Sequence, residues 1–266
     1  MTDPVQAAPG VAAHAAALGL PPAAGGGLPS AAHQPQWMSH LVRQLGHLEP
    51  EFFSRFLPPD AGGRQSAVLI LFGPNADGGE DVVLTERSHS MRSHAGQVSF
   101  PGGSIDPTDS GPVAAALREA KEEVGLDPAG VEVVAELPAL YLPPSNFVVT
   151  PVLAWWSEPS PISVVDHSEV ARVLRAPLSE LTDPARRFTV THPSGFAGPA
   201  FDVDGLLVWG FTAGLISKVI ELAGLERSWD RADHRALPAH FSGSDSSIGA
   251  RDGSVQPMVR APRARS

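Results

Sequence analysis

Cysteine is absent from the 266 residues, which removes disulfides, thiolate metal sites and a thiol nucleophile together. A chain without it fits a cytosolic setting at least as well as a secreted one. Positive charge is scarce as well: 19 Lys and Arg stand against 29 Asp and Glu, for a net charge of −10. That balance argues against a broad basic face for gripping nucleic acid, so a polyanionic ligand would need a local basic patch. Long apolar runs are also missing. The longest nearly apolar stretch, 205–220, contains glycines and Lys218 and is too short for a membrane span. The first twenty residues lack the basic start and compact apolar core of a signal peptide. These absences predict a cytoplasmic protein with neither nucleic acid nor membrane as a partner.

A hydrophobic fraction of 42% is ordinary for a globular chain that buries a core, while 26 glycines and 27 prolines promise many loops. Residues 1–35, rich in Ala, Pro and Gly, are expected to form a flexible tail. One αβ domain is expected over 36–229, followed by a polar, flexible tail over 230–266. Within the domain, Trp37, Leu41, Val42 and Leu45 recur at helical spacing. AVLILF (67–72) and DVVLTE (81–86), joined by a turn-rich link, predict a hairpin. VEVVAEL (131–137), NFVVTPVLAWW (146–156) and EVARVLRA (169–176) read as further strands of the same sheet, and PLSELTD as a short helix. RRFTVTH and a hairpin around Asp204-Gly205 are expected to complete it. Phe211, Leu215, Val219 and Leu222 mark a closing helix.

Chemistry concentrates in residues 84–126. Pro112 can open a helix, with Ser110 or Asp109 available as its cap and Gly125 placed to stop it. At about 100° per residue, Val113, Leu117, Ala120 and Val124 share one stripe, and Glu119, Glu122 and Glu123 cluster on a different side. Most Glu-rich helical runs are solvated faces. Here, however, three carboxylates occupy the last turns, where the helix dipole disfavours each by about 0.3–1 kcal/mol. Glu119 and Glu123 also repel at i, i+4. Negative charge gathered against the local field suggests a bound cation, and oxygen ligands favour Mg²⁺ or Mn²⁺.

Sixteen residues before Glu119 stands the pair Gly102 and Gly103, in FPGG, where the main chain can approach a ligand closely. Mg²⁺ held by a few carboxylates completes its shell with water and substrate phosphate, so the combination suggests phosphorus chemistry. Arg87, His89, Arg92 and His94 form a local basic patch in an otherwise acidic chain. Arginine suits a phosphate in a fork, although Arg87 and Arg92 could equally brace the glycine loop and the carboxylate helix.

Gly103 to Leu126, ending in REAKEEVGL, resembles the Nudix box of hydrolases that cleave a nucleoside diphosphate linked to another group. VLTERSHSMRSHAGQVSFPGG resembles the extension of the coenzyme A pyrophosphatases in that superfamily, matched by Leu84, Thr85, Arg87, Arg92, Gly96 and Phe100 to Gly103. Asp109 stands where the common box has Glu, and Arg118 comes one residue late, similar to the insertion that coenzyme A-type members carry. The resemblance implies an α/β (α+β) Nudix fold, a mixed β-sheet core sandwiched between helices. It implies Glu119 and Glu123 as main Mg²⁺ or Mn²⁺ ligands, and Glu122 as third ligand or as a base acting through metal-bound water. A carbonyl of Gly102 or Gly103 would complete the shell, and Arg118 would orient the carboxylates. Arg87, Arg92, Gly102 and Gly103 would meet the substrate, coenzyme A, giving 3′,5′-ADP and 4′-phosphopantetheine. Two alternatives remain: hydrolysis of another nucleotide such as NADH or ADP-ribose, and a non-catalytic nucleotide-binding regulatory module. A homodimer is compatible with all three.

Overall fold

Asn75 makes the first turn: its Oδ1 accepts N–H bonds from Asp77 and Gly79. It joins β1 (Arg64–Pro74) to β2 (Glu80–Arg87), which form the expected antiparallel hairpin with Phe72 opposite Val82. This computed structural model describes residues 34–45, 50–53, 56, 58–59, 62–91, 93–143 and 145–242, all within the unit Gln34–Ser266. The expected tail 1–35 therefore lies outside the described residues except for its last two, as does 243–266 of the expected C-terminal tail.

Only the turn end of β1 pairs with β2; beyond it the hairpin forks. The chain re-enters the fork as β3 (Val98–Ser99), paired with β2, and β4 (Gly102–Ser104), paired with β1. The far edge of β1 takes β7 (Phe147–Trp156) in parallel, from Arg64 opposite Phe147 to Phe72 opposite Trp155. β5 (Val131–Glu136) and β6 (Leu140–Leu142) run antiparallel to β7, and β8 (Val170–Pro177) antiparallel to β2. The result is one mixed, eight-stranded sheet.

Side chains alternate between the faces of this sheet. Leu69, Leu71, Val83, Ala154 and Trp156 pack on one side against Val113, Ala116, Ala120 and Val124 of α2 (Pro112–Val124). Ile70, Phe72, Leu84 and Trp155 pack on the other, against Met38 and Leu41 of α1 (Gln36–Leu45). Trp155 and Trp156 are thus buried on opposite faces, and neither is open to stack a base. A short α3 (Leu178–Leu181) follows β8, with Pro177 as its cap. The closing helix α4 (Gly210–Leu222) completes the second face, its buried line running through Thr212, Leu215, Ile216 and Val219 while Phe211 and Leu222 stay half-buried. No helix among the described residues is long and apolar enough to cross a membrane.

Two expectations need correction. Residues 187–208 do not extend the first sheet. The free edge of β2 is already taken by β8, so β9 (Arg187–Thr191), β10 (Ala197–Val203) and β11 (Leu206–Val208) build a second sheet. The β10–β11 hairpin does turn at Asp204 and Gly205, both at positive φ (51° and 74°). The chain past Trp229 does not fray at once either. β12 (His234–Ala236) adds to β9 in parallel, and α5 (Ala239–Ser242) buries Phe241 beside Leu237. A short polar strand paired through its backbone leaves little hydrophobic pattern to read.

Candidate active site

The fork sets the site. Between β3 and β4 the chain bends at Pro101, whose carbonyl accepts the Leu69 N–H (2.8 Å), and Gly103 lies opposite Ala67. Gly102 has φ +153°, and a Cβ there would come within 2.3 Å of the Ala67 carbonyl oxygen. Only glycine lets β4 lie this flat against β1. At Gly103 a Cβ would fall 2.5 Å from Oε1 of Glu119, so the missing side chain leaves the space that this carboxyl fills.

Helix α2 brings the carboxylates to that space. Its start departs from expectation: the N-cap is Gly111, with no side-chain cap, and neither Ser110 nor Asp109 serves. Asp109 is committed elsewhere, to Nε and Nη2 of Arg118 at 3.1 and 3.0 Å. Arg118 also donates to the Ser104 carbonyl, to Glu119 Oε1 and to Glu122 Oε2, each at 3.0 Å. It therefore ties α2 to β4 and fixes three carboxyls with one guanidinium. These hydrogen bonds hold Asp109 below the usual carboxylate range and push the Arg118 pKa up. The helix ends as expected at Gly125, left-handed at φ 72°.

Glu123 parts company with its neighbours. Its side chain is not on the open face but buried (4% exposed), with Oε2 accepting the Gly102 N–H at 3.1 Å. Burial pushes its pKa up to about 8; the Gly102 N–H and the charge of Arg87 pull it down, while Glu119 and Glu169 push further up. Burial also raises Glu119, against the pull of Arg118. Glu122 is far more open, at 59% side-chain exposure. Glu119, Glu122 and Glu123 are thus not one converging trio: the first two share Arg118 and the third is turned to the glycine strand.

Among the described residues, no three His, Asp or Glu side chains stand close enough to cage a metal on their own. The donor chemistry nonetheless fits Mg²⁺ or Mn²⁺, which take one or two carboxylates and leave the remaining positions to water and phosphate. Arg118 and Arg87 face the carboxyls of Asp109, Glu119, Glu122, Glu123 and Glu169, an excess of negative charge around a buried carboxyl that a cation would balance. Glu119 and Glu123 are the pair that could hold it.

Glu169, by sequence only the first residue of a strand, joins the site. It sits in the turn before β8, where its carbonyl accepts the Ser88 N–H at 2.7 Å, and its charge acts on both Glu119 and Glu123. Nothing local in the sequence marks it, since the approach is made by the β2–β8 pairing. Arg87, half-buried at the end of β2, lies on the same side, as its effect on Glu123 requires. Its Nε is buried without a hydrogen-bond partner. His89 pairs with Glu86 (3.1 Å) and His94 Nδ1 with Gln97 Oε1 (3.0 Å), which makes both loop residues. Arg92 lies outside the described residues.

A mixed sheet thus carries a glycine strand in its fork, facing a helix whose carboxylates Arg118 clamps. The profile of the NUDIX domain matches residues 63–191, which run from the start of β1 to the end of β9. The chain belongs to the Nudix hydrolases. It is 40% identical over 183 residues to a protein of Citrobacter koseri named an uncharacterized Nudix hydrolase NudL, covering 64% of this chain and 91% of that one. The protein of the same name from Escherichia coli O7:K1 is 38% identical over 170 residues, covering 61% and 84%. A Nudix hydrolase crystal structure from M. smegmatis, RenU, aligns at 20% identity over 64% of this chain and 92% of that one, with a TM-score of only 0.42.

Proposed function

We propose that this Nudix hydrolase cleaves the diphosphate of coenzyme A or its acyl forms, giving 3′,5′-ADP and 4′-phosphopantetheine or its acyl derivative. The observation that supports the reading is that Arg87, the last residue of β2 before the 88–96 loop, lies near enough for its charge to act on the buried carboxyl of Glu123. Membership of the Nudix hydrolases supports diphosphate hydrolysis; the match of residues 84–103 to the coenzyme A-type extension supports the substrate. When bound, Mg²⁺ or Mn²⁺ would offset the diphosphate charge and make a water more acidic.

The protein groups divide the remaining work. Glu119 and Glu123 hold the cation, and Glu122, tethered by Arg118 yet exposed, reaches toward solvent as third ligand or base. Arg118 restrains rather than binds, because its donors are spent on Asp109, Ser104, Glu119 and Glu122. Gly102 lets β4 lie close against β1, and Gly103 leaves the space that the Glu119 carboxyl fills, so the β4 main chain stands next to the carboxylates that meet the substrate. Arg87 and Arg92 take the 3′-phosphate.

Phosphorus NMR of coenzyme A with the protein and Mg²⁺, beside Glu123→Gln, tests this. The wild type is expected to replace the diphosphate signals with two phosphomonoester signals, and the variant to leave them intact. Cleavage of NADH or ADP-ribose with coenzyme A untouched would overturn the substrate assignment.

A further inference from the structure

The loop over residues 88–96 joins β2 to β3 and carries His89 and His94. Its neck is closed by backbone bonds, Arg87 N–H to Gln97 carbonyl (2.9 Å) and Gly96 N–H to Arg87 carbonyl (3.1 Å). Its span is held by short polar links, among them Ser88 Oγ to Ser90 Oγ (2.8 Å). No residue of this loop belongs to the hydrophobic clusters of the described residues. A polar loop without apolar anchors opens readily.

One apolar group does reach it. The place a Cβ would take on the buried Gly96 lies 2.9 Å from the His89 ring and 3.9 Å from a ring carbon of Phe241. Phe241 sits on α5, is only 6% exposed, and has its ring 5.9 Å from that of Trp209. Its backbone is fixed by the bond from its N–H to the Pro238 carbonyl (3.0 Å), and Leu237 N–H bonds the Thr191 carbonyl (2.9 Å). The polar end of the chain thus carries an aromatic ring back to the loop beside Arg87.

We infer that Phe241 is a positioning residue for substrate binding: it backs the loop at Gly96 and keeps the neck formed by Arg87, Ser88, Gly96 and Gln97 in its binding shape before substrate arrives. This rests on the reading of that loop as part of the coenzyme A site. The carboxylates are held by a different core, that of α2 against β1 and β7, which does not include Phe241. Loosening the loop therefore lowers the fraction of protein competent to bind and leaves the hydrolytic groups in place.

Steady-state kinetics on coenzyme A with Mg²⁺ tests the buttress. Phe241→Ala is expected to raise KM about tenfold with kcat within about twofold, and Phe241→Leu to recover most of the loss. An unchanged KM, or a fall in kcat alone, overturns the inference. A parallel measurement, hydrogen–deuterium exchange, needs no substrate. Faster exchange in Phe241→Ala at the bonded amides of Arg87, Ser88, Gly96 and Gln97, with α2 unchanged, supports the buttress, and unchanged exchange there sinks it. If wild type leaves coenzyme A intact, the proposed substrate fails and the exchange result alone decides the role of Phe241. Should Phe241→Ala fail to fold, the milder truncation Phe241→Val takes its place in both measurements, and faster exchange at the loop amides together with a raised KM is still required.

Discussion

Two adjacent glycines separate stability from activity. At Gly102 a Cβ would meet main chain, the Ala67 carbonyl at 2.3 Å and Val68 Cα at 2.7 Å, at a φ that L residues rarely adopt. Gly102→Ala should therefore unfold the fork, losing about 2–4 kcal/mol in denaturant titration. At Gly103 the obstacle is only the end of the Glu119 side chain. Gly103→Ala should lose under about 1 kcal/mol yet lower kcat about 10–100-fold, because the carboxyl must move by a fraction of its working distance. Glu123 yields a pH prediction. Its folded pKa, near 8 without a cation, is raised from the usual 4.5, so the folded state binds the extra proton between those values. Its contribution is full below pH 4.5 and is lost as pH rises toward 8. In EDTA, Glu123→Gln should melt above wild type at pH 8 and lose that advantage at pH 5. An advantage that does not vary with pH would contradict the buried, cation-free carboxyl.

Element by element, what was legible depended on how local the determining contacts are. The β1–β2 hairpin, the glycine stop of α2 and the Asp204-Gly205 turn are each decided within a few residues, and each is where the sequence puts it. The start of α2 was misread because Asp109, a good cap by type, is claimed by Arg118 nine residues on. Glu123 was misplaced because helical spacing tells which side chains share a face, not how far β4 will reach over that face. The second sheet and Glu169 were illegible for one reason: strand partners are chosen across the whole chain, and a short run such as RFTVT fits either sheet. The cap contrast can be measured. Ser110→Ala should shift stability by less than about 0.5 kcal/mol, whereas Asp109→Asn should lose about 1–3 kcal/mol by loosening the bridge between α2 and β4.

At the scale of the molecule, cation binding and stability should be coupled through Glu123. Mg²⁺ that binds only the folded chain raises the melting temperature by mass action. The rise should be larger at pH 8, where the buried carboxyl has begun to give up its proton, than at pH 5, where it holds that proton and the cation must displace it. Equal shifts at both pH values would place the cation elsewhere.

The fork in the first hairpin also bears on how the site comes into being. Ala67 is flanked by Gly103 on one edge and by Thr150 on the other, so the glycine strand rests on a strand whose second neighbour is made some eighty residues later. Parallel pairings of such long sequence separation form late, after the loops between them have closed. A chain emerging from the ribosome would hold all its acidic residues of α2 well before it holds a pocket for them, and ought to become a hydrolase only once β7 has docked.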